Sequence, residues 1–183
     1  MASFLPDGKW KLTMDRTNWK FGEKHINILM LAVVYKGRAI PLIWYLLAEK
    51  KCGNSSYRDR IRMIKKFIDI FGLDKMEILL ADREFVGKEW FAWLKKRKIP
   101  FAIRIMNNHN IKTAKGKRRI DTLFGYLKVG EYSLFCRKKE LYGYKKLSIV
   151  ALKMQDEFLI IATNHNRNYS PHLKNTIPTD NPL

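Results

Sequence analysis

Residues 77–90 read EILLADREFVGKEW, and this stretch decides the fold. Ile78, Leu79, Leu80 and Ala81 form a continuous apolar run that leads straight into Asp82. Such a run suits a strand buried on both faces, as in a parallel sheet. Asp82 then stands at the strand's carboxyl end, where open α/β sheets place their ligands. A carboxylate there must offset its desolvation, and a bound cation does so. Beyond it, residues 88–97 have helical spacing, with Trp90, Phe91, Trp93 and Leu94 as the buried face.

A second stretch has the same grammar. Trp10, Leu12 and Met14 alternate with Lys9, Lys11 and Thr13, which predicts a strand stopping at Asp15 and a loop, DRTNWKFGEKH, beyond it. If the two strands are neighbours, their carboxylates converge, and one pKa rises unless cations sit between them. The alternative is two unrelated aspartates capping turns.

Bulk properties narrow the class. The 183 residues fit one domain with a sizeable core, and hydrophobic and aromatic fractions of 46% and 13% exclude disorder. Lys and Arg number 36 against 17 acidic residues, a formal charge of +19 that points first to nucleic acid. An anionic membrane is the weaker partner, because no basic amphipathic helix stands out. Cys52 and Cys136 are too few for a disulfide framework and fit a reducing cytosol. The N-terminus lacks a signal-peptide apolar region. Ile26 to Leu47 has the length of a membrane span, but Lys36, Gly37 and Arg38 are costly in a bilayer and suit a hairpin turn. Pro41 then marks the third strand as an edge.

Ser56 and Asp59 form a capping box opening a helix with Ile61, Ile64, Phe67, Ile68 and Phe71 inward and Arg60, Arg62, Lys65 and Lys66 outward. Gly72 ends it. That helix is the crossover that makes the Asp82 strand parallel to an earlier one. With a strand over 100–105, the order is β-β-β-α-β-α-β. Residues 107–119, NNHNIKTAKGKRR, read as a basic loop. Tyr132–Arg137, Leu147–Lys153 and Phe158–Thr163 read as a small antiparallel β region. The expected division is 1–106 core, 107–164 basic loop and β insertion, and 165–183 poorly packed tail.

This order begins a ribonuclease-H-like fold, in which the first and fourth strands are neighbours. LTMDRTNWKFG, INILMLAVVYKGRAIPLIW, LLADREFVGKEW and IPFAIRI together resemble the DDE transposases of bacterial insertion sequences, within these the insertion-sequence-four type, over roughly residues 5–164. The resemblance implies an α/β ribonuclease-H-like mixed sheet with an antiparallel β insertion. It implies cleavage of DNA at transposon ends by water, then attack of the freed 3′-OH on target DNA. It also implies Asp15 and Asp82 as catalytic ligands for Mg²⁺ or Mn²⁺, a homodimer in a synaptic complex, and a cytoplasmic, nucleoid-associated location. The chemistry agrees: two ions about 3.5–4 Å apart serve both oxygens of an in-line displacement. Mg²⁺ prefers carboxylate oxygens, so no histidine cluster is needed.

Arg16, Asn18, Trp19 and Arg83 border the aspartates, and Lys112, Lys115, Lys117, Arg118 and Arg119 make the basic segment; these are the expected DNA contacts. The competing readings are surface ion pairs and a solvated loop. Glu84 is expected to pair with Arg83, and Trp44, Trp90 and Trp93 to pack. His25 and His109 stand alone, as loop or hydrogen-bonding residues.

The pattern departs from the family in one place. The third carboxylate belongs to a helix of Y-x-x-R-x-x-x-E type beyond the insertion, and residues 165–183 hold no Glu and no helical pattern. Glu131, Glu140 and Glu157 fall within the insertion, the latter two in turn-like segments. The expectation is a core fragment truncated at both ends, with weak metal binding and little strand transfer. The alternatives are an inactive DNA-binding remnant and a ribonuclease-H-like nuclease for RNA–DNA hybrids.

Overall fold

Three antiparallel strands open the chain: β1 (Trp10–Phe21), β2 (Lys24–Tyr35) and β3 (Arg38–Leu47). The structure, a computed structural model, describes residues 5–47, 55–113, 116–141 and 144–164. Lys36 and Gly37 turn the β2–β3 hairpin with φ of 48° and 74°, as a two-residue type I′ turn requires. Pro41 lies on the edge strand, and the register slips opposite it, between Leu31 and Ala32, because proline has no N–H to donate.

β1 does not stop at Asp15. It continues to Phe21 and pairs with β2 down to Phe21–Lys24. Arg16, Asn18 and Trp19 are therefore strand residues. A ladder to β2 satisfies their backbone groups, which a loop of this length would leave to water.

The Ser56–Asp59 capping box is present at the start of α1 (Tyr57–Phe71), and Gly72 ends it at φ 84° by donating to the Ile68 carbonyl. A short 3₁₀ turn leads into β4 (Met76–Ala81), which lies parallel beside β1. α2 (Lys88–Lys96) and β5 (Phe101–Arg104) follow, β5 parallel to β4.

The basic segment is a hairpin, not a loop: β6 (Asn110–Thr113) pairs with β7 (Gly116–Arg119). After the short α3 (Ile120–Leu123), strands β8 (Tyr132–Leu141), β9 (Tyr144–Lys153) and β10 (Phe158–Thr163) continue the main sheet. β10 pairs antiparallel with β5, giving the order β3-β2-β1-β4-β5-β10-β9-β8. The insertion thus shares the sheet of the core.

One face of the sheet packs Leu12, Met14, Leu31, Leu79 and Phe101 against Met63, Ile64 and Phe67 of α1 and Trp90, Phe91 and Leu94 of α2. The other face buries Leu80, Ala102, Val150, Leu159 and Ile161. Burial on both faces explains the unbroken apolar run of β4. Two expectations are corrected. Arg60 is buried, not outward, at 4% exposure, and Trp44 on the edge strand is 61% exposed rather than packed. No helix among the described residues is long and apolar enough to cross a membrane. The 165–183 tail, Cys52 and Lys115 lie outside the described residues, as do the side chains of Cys136, His25, Asn18, Lys112 and Glu140.

Candidate active site

The β1–β4 ladder is parallel and runs to the pair Met14–Ala81. Asp15 is the next residue of β1 and Asp82 the first residue past β4, so their backbones stand about one strand spacing apart, roughly 4.8 Å. Met14 and Ala81 both face the helices. The pleat therefore puts Asp15 and Asp82 on the opposite face, at the carboxyl end of both strands. Both are exposed. The Arg16 amide donates to Asp15 Oδ1 at 2.7 Å, just past the last β1–β4 pair.

A network behind the aspartates ties their carriers together. Arg16, next to Asp15 but on the helix side, donates from Nε to both Glu84 carboxylate oxygens at 3.2 and 3.0 Å. Glu84 thus pairs with Arg16 across 68 residues of sequence, not with its neighbour Arg83. Arg60 of α1 then holds the loop after Asp82. Its Nη2 donates to the carbonyls of Glu84 (3.0 Å) and Ser55 (2.7 Å), its Nη1 to that of Val86 (3.1 Å), and its Nε to Ser55 Oγ (3.0 Å). The guanidinium also lies 5.2 Å from the centre of the buried Phe85 ring. Burial pulls its pKa down to about 10, against the opposing pull of the Glu84 and Asp59 carboxylates. Arg60 therefore stays charged at neutral pH. Phe85 N–H closes the turn by donating to the Asp82 carbonyl at 2.9 Å.

The rim carries a third polar residue that sequence reasoning missed. The β4–β5 register ends at Ala81–Ile103, so Arg104 stands beside Asp82 in the next strand and on the same face. Arg104 is the one polar residue of PFAIRI, and its alternation with Phe101 and Ile103 was the available signal. Its Nη2 donates to Glu157 at 3.0 Å.

The expected DNA-contacting residues divide. Arg16 is turned inward to Glu84. Arg83 is exposed beside Asp82. Trp19 is 63% exposed, but lies four residues along β1, roughly 13 Å from Asp15 at strand rise. Lys117, Arg118 and Arg119 are exposed on β7; Arg119 forms an ion pair with Asp121 that holds the Asp121 carboxyl below its usual range.

Among the described residues, no third His, Cys, Asp or Glu joins Asp15 and Asp82 in a metal-sized cluster. Glu131 is exposed and accepts from the Lys128 amide at 2.9 Å. Glu157 is held by Arg104. As a donor set, two exposed carboxylates suit a hard cation that keeps waters and takes substrate phosphate as further ligands.

Solved structures similar to this chain include the piggyBac transposase synaptic complex with hairpin DNA, at 14% identity and TM-score 0.52, over 92% of this chain and 36% of that one. The HTLV-2 integrase catalytic core domain in complex with magnesium is similar at 14% identity and TM-score 0.38, over 52% and 61% of the two chains. The catalytic domain of human Endonuclease V follows at 9% identity and TM-score 0.44, over 87% and 69%. The chain thus spans 61% and 36% of the integrase and transposase chains. The piggyBac likeness carries the fold, which is ribonuclease-H-like. No curated protein sequence matches the chain. The model of the transposase DDE domain matches residues 5–173, and the chain belongs to that family.

Proposed function

We propose that this chain is the catalytic core of a DNA transposase of the insertion-sequence-four type. The observation that carries this reading is the register that sets Asp15 beside Asp82 on one face of the rim. Asp15 and Asp82 would hold Mg²⁺ or Mn²⁺ and so position the scissile phosphate. A divalent ion held there lowers the charge barrier to in-line attack on phosphorus. Arg16 and Glu84 keep the two strand ends together, and Arg60 fixes the loop that follows Asp82. Water is the nucleophile in cleavage at a transposon end, and the released 3′-OH is the nucleophile in strand transfer to target DNA. The charge of +19 supplies the sequence-independent attraction to both DNAs. Two copies acting on paired transposon ends complete the assembly in a bacterial nucleoid.

The test is nicking of a labelled DNA duplex in Mg²⁺ by the full chain and by Asp82→Asn, alongside calorimetric titration with Mn²⁺. The reading expects metal-dependent nicking and Mn²⁺ binding that are both lost in the variant. Equal activity in the two proteins removes Asp82 from the mechanism. DNA binding without nicking by either identifies the chain as a DNA-binding remnant.

A further inference from the structure

One cleft adjoins Asp82 without containing either aspartate. It encloses about 230 Å³, and Arg83, Arg104, Arg119, Asn107, Asn108 and Glu157 line it. Arg83 comes from the turn after β4, Arg104 from the end of β5, Arg119 from the end of β7, and Glu157 from the β9–β10 turn. Three guanidinium groups thus share one cleft with a single lining carboxylate. Arg104 donates to Glu157 Oε1 at 3.0 Å, and the Asn107 amide reaches Oε2 at 3.5 Å. Arg83 has no ion pair among the described residues.

This lining suits a compact anion with several acceptor oxygens. Guanidinium groups take phosphate oxygens in paired hydrogen bonds; Glu157 faces Arg104 and Asp121, outside the lining, holds Arg119, which leaves Arg83 open to an incoming anion. Glu157 is half-exposed, so displacing it costs little. Arg104 is one strand spacing from Asp82, about 4.8 Å, so an anion in the cleft lies next to the one at the aspartates.

We propose that the cleft binds the backbone phosphate adjacent to the scissile one, and that Glu157 occupies that phosphate's place in the free protein. The inference rests on the nucleic-acid reading above. Glu157 is then a built-in competitor: it holds Arg104 in position while the site is empty and weakens DNA binding by its charge.

The test measures binding of the full chain to a labelled short DNA duplex by fluorescence anisotropy, in chelator without divalent ions, over a series of KCl concentrations. Glu157→Gln is expected to tighten binding about threefold or more, as removal of an opposing interface charge does. Arg104→Gln is expected to weaken binding and lower the salt slope by about 1. Arg62→Gln, an exposed cation of α1 outside the cleft, serves as the control. Circular dichroism confirms that each variant is folded. Unchanged or weaker binding by Glu157→Gln, or an Arg104→Gln slope equal to that of Arg62→Gln, overturns the inference alone. Failure of the unsubstituted chain to bind the duplex overturns the nucleic-acid reading and the inference together.

Discussion

Asp15 and Asp82 reach the same rim by opposite means. Asp15 sits inside a twelve-residue strand that pairs with β2 on past it to Phe21. Asp82 sits one residue beyond a six-residue strand, where the ladder to β1 has ended. The backbone sheet positions the first. The second depends on a side chain from elsewhere, because Arg60 holds the carbonyls of Glu84 and Val86. A rigid ladder and a buried guanidinium are alternative ways to hold a ligand-bearing backbone, and they differ in what breaks them.

The largest effect expected is on chemistry. Asp15→Asn and Asp82→Asn should each lower metal-dependent nicking by about a hundredfold or more, on the order of 2.7 kcal/mol in barrier, with far-ultraviolet circular dichroism unchanged. A milder effect at Asp15 would break the symmetry of the pair.

Arg60→Met separates the two carriers. It removes four hydrogen-bond donations from a buried site and leaves carbonyls unpaired, so urea denaturation should show a loss of about 3 kcal/mol. In the protein that remains folded, protease cleavage should increase within residues 82–87 and not within β1. Equal sensitivity of both segments would contradict the contrast.

The Arg16–Glu84 pair has side-chain exposures of 12% and 22%, between a surface and a buried ion pair. A double-mutant cycle with Arg16→Gln and Glu84→Gln should give a coupling of about 1 kcal/mol. A coupling near zero would leave the two strand ends joined by the sheet alone.

The smallest effect is pH dependence at His109, next to the cleft. Burial pulls its pKa below the ordinary histidine value of 6.5. In the window below 6.5 the unfolded chain binds more protons than the folded one, so stability falls as pH falls there. His109→Gln should flatten that part of a thermal-melting profile against pH.

Much of this arrangement was legible in the sequence. The apolar run 78–81, the Ser56–Asp59 box and the Lys36–Gly37 turn report local physics, and each appears where expected. The crossover helix made the Asp82 strand parallel to an earlier one, but that this earlier strand is β1 came from the resemblance to the ribonuclease-H-like order, and the β1–β4 ladder has that pairing. Less legible were features set by long-range contacts. The amphipathic pattern of α1 placed Arg60 outside, since periodicity cannot register carbonyls 24 and 26 residues away that need a donor. Adjacent opposite charges suggested Arg83–Glu84, but both lie in the turn after β4, and there Glu84 meets Arg16, 68 residues away in sequence. The strand from Arg16 to Phe21 was hidden by its polar residues, which read as a loop until β2 supplies the partner ladder.

The central claim is that two carboxylates at one rim share a divalent ion. The most direct measurement is anomalous diffraction from crystals of the chain soaked in Mn²⁺. The account predicts a peak within coordination distance of both Asp15 and Asp82, lost in crystals of Asp82→Asn. A peak elsewhere, or carboxylates directed to opposite faces of the sheet, would contradict it.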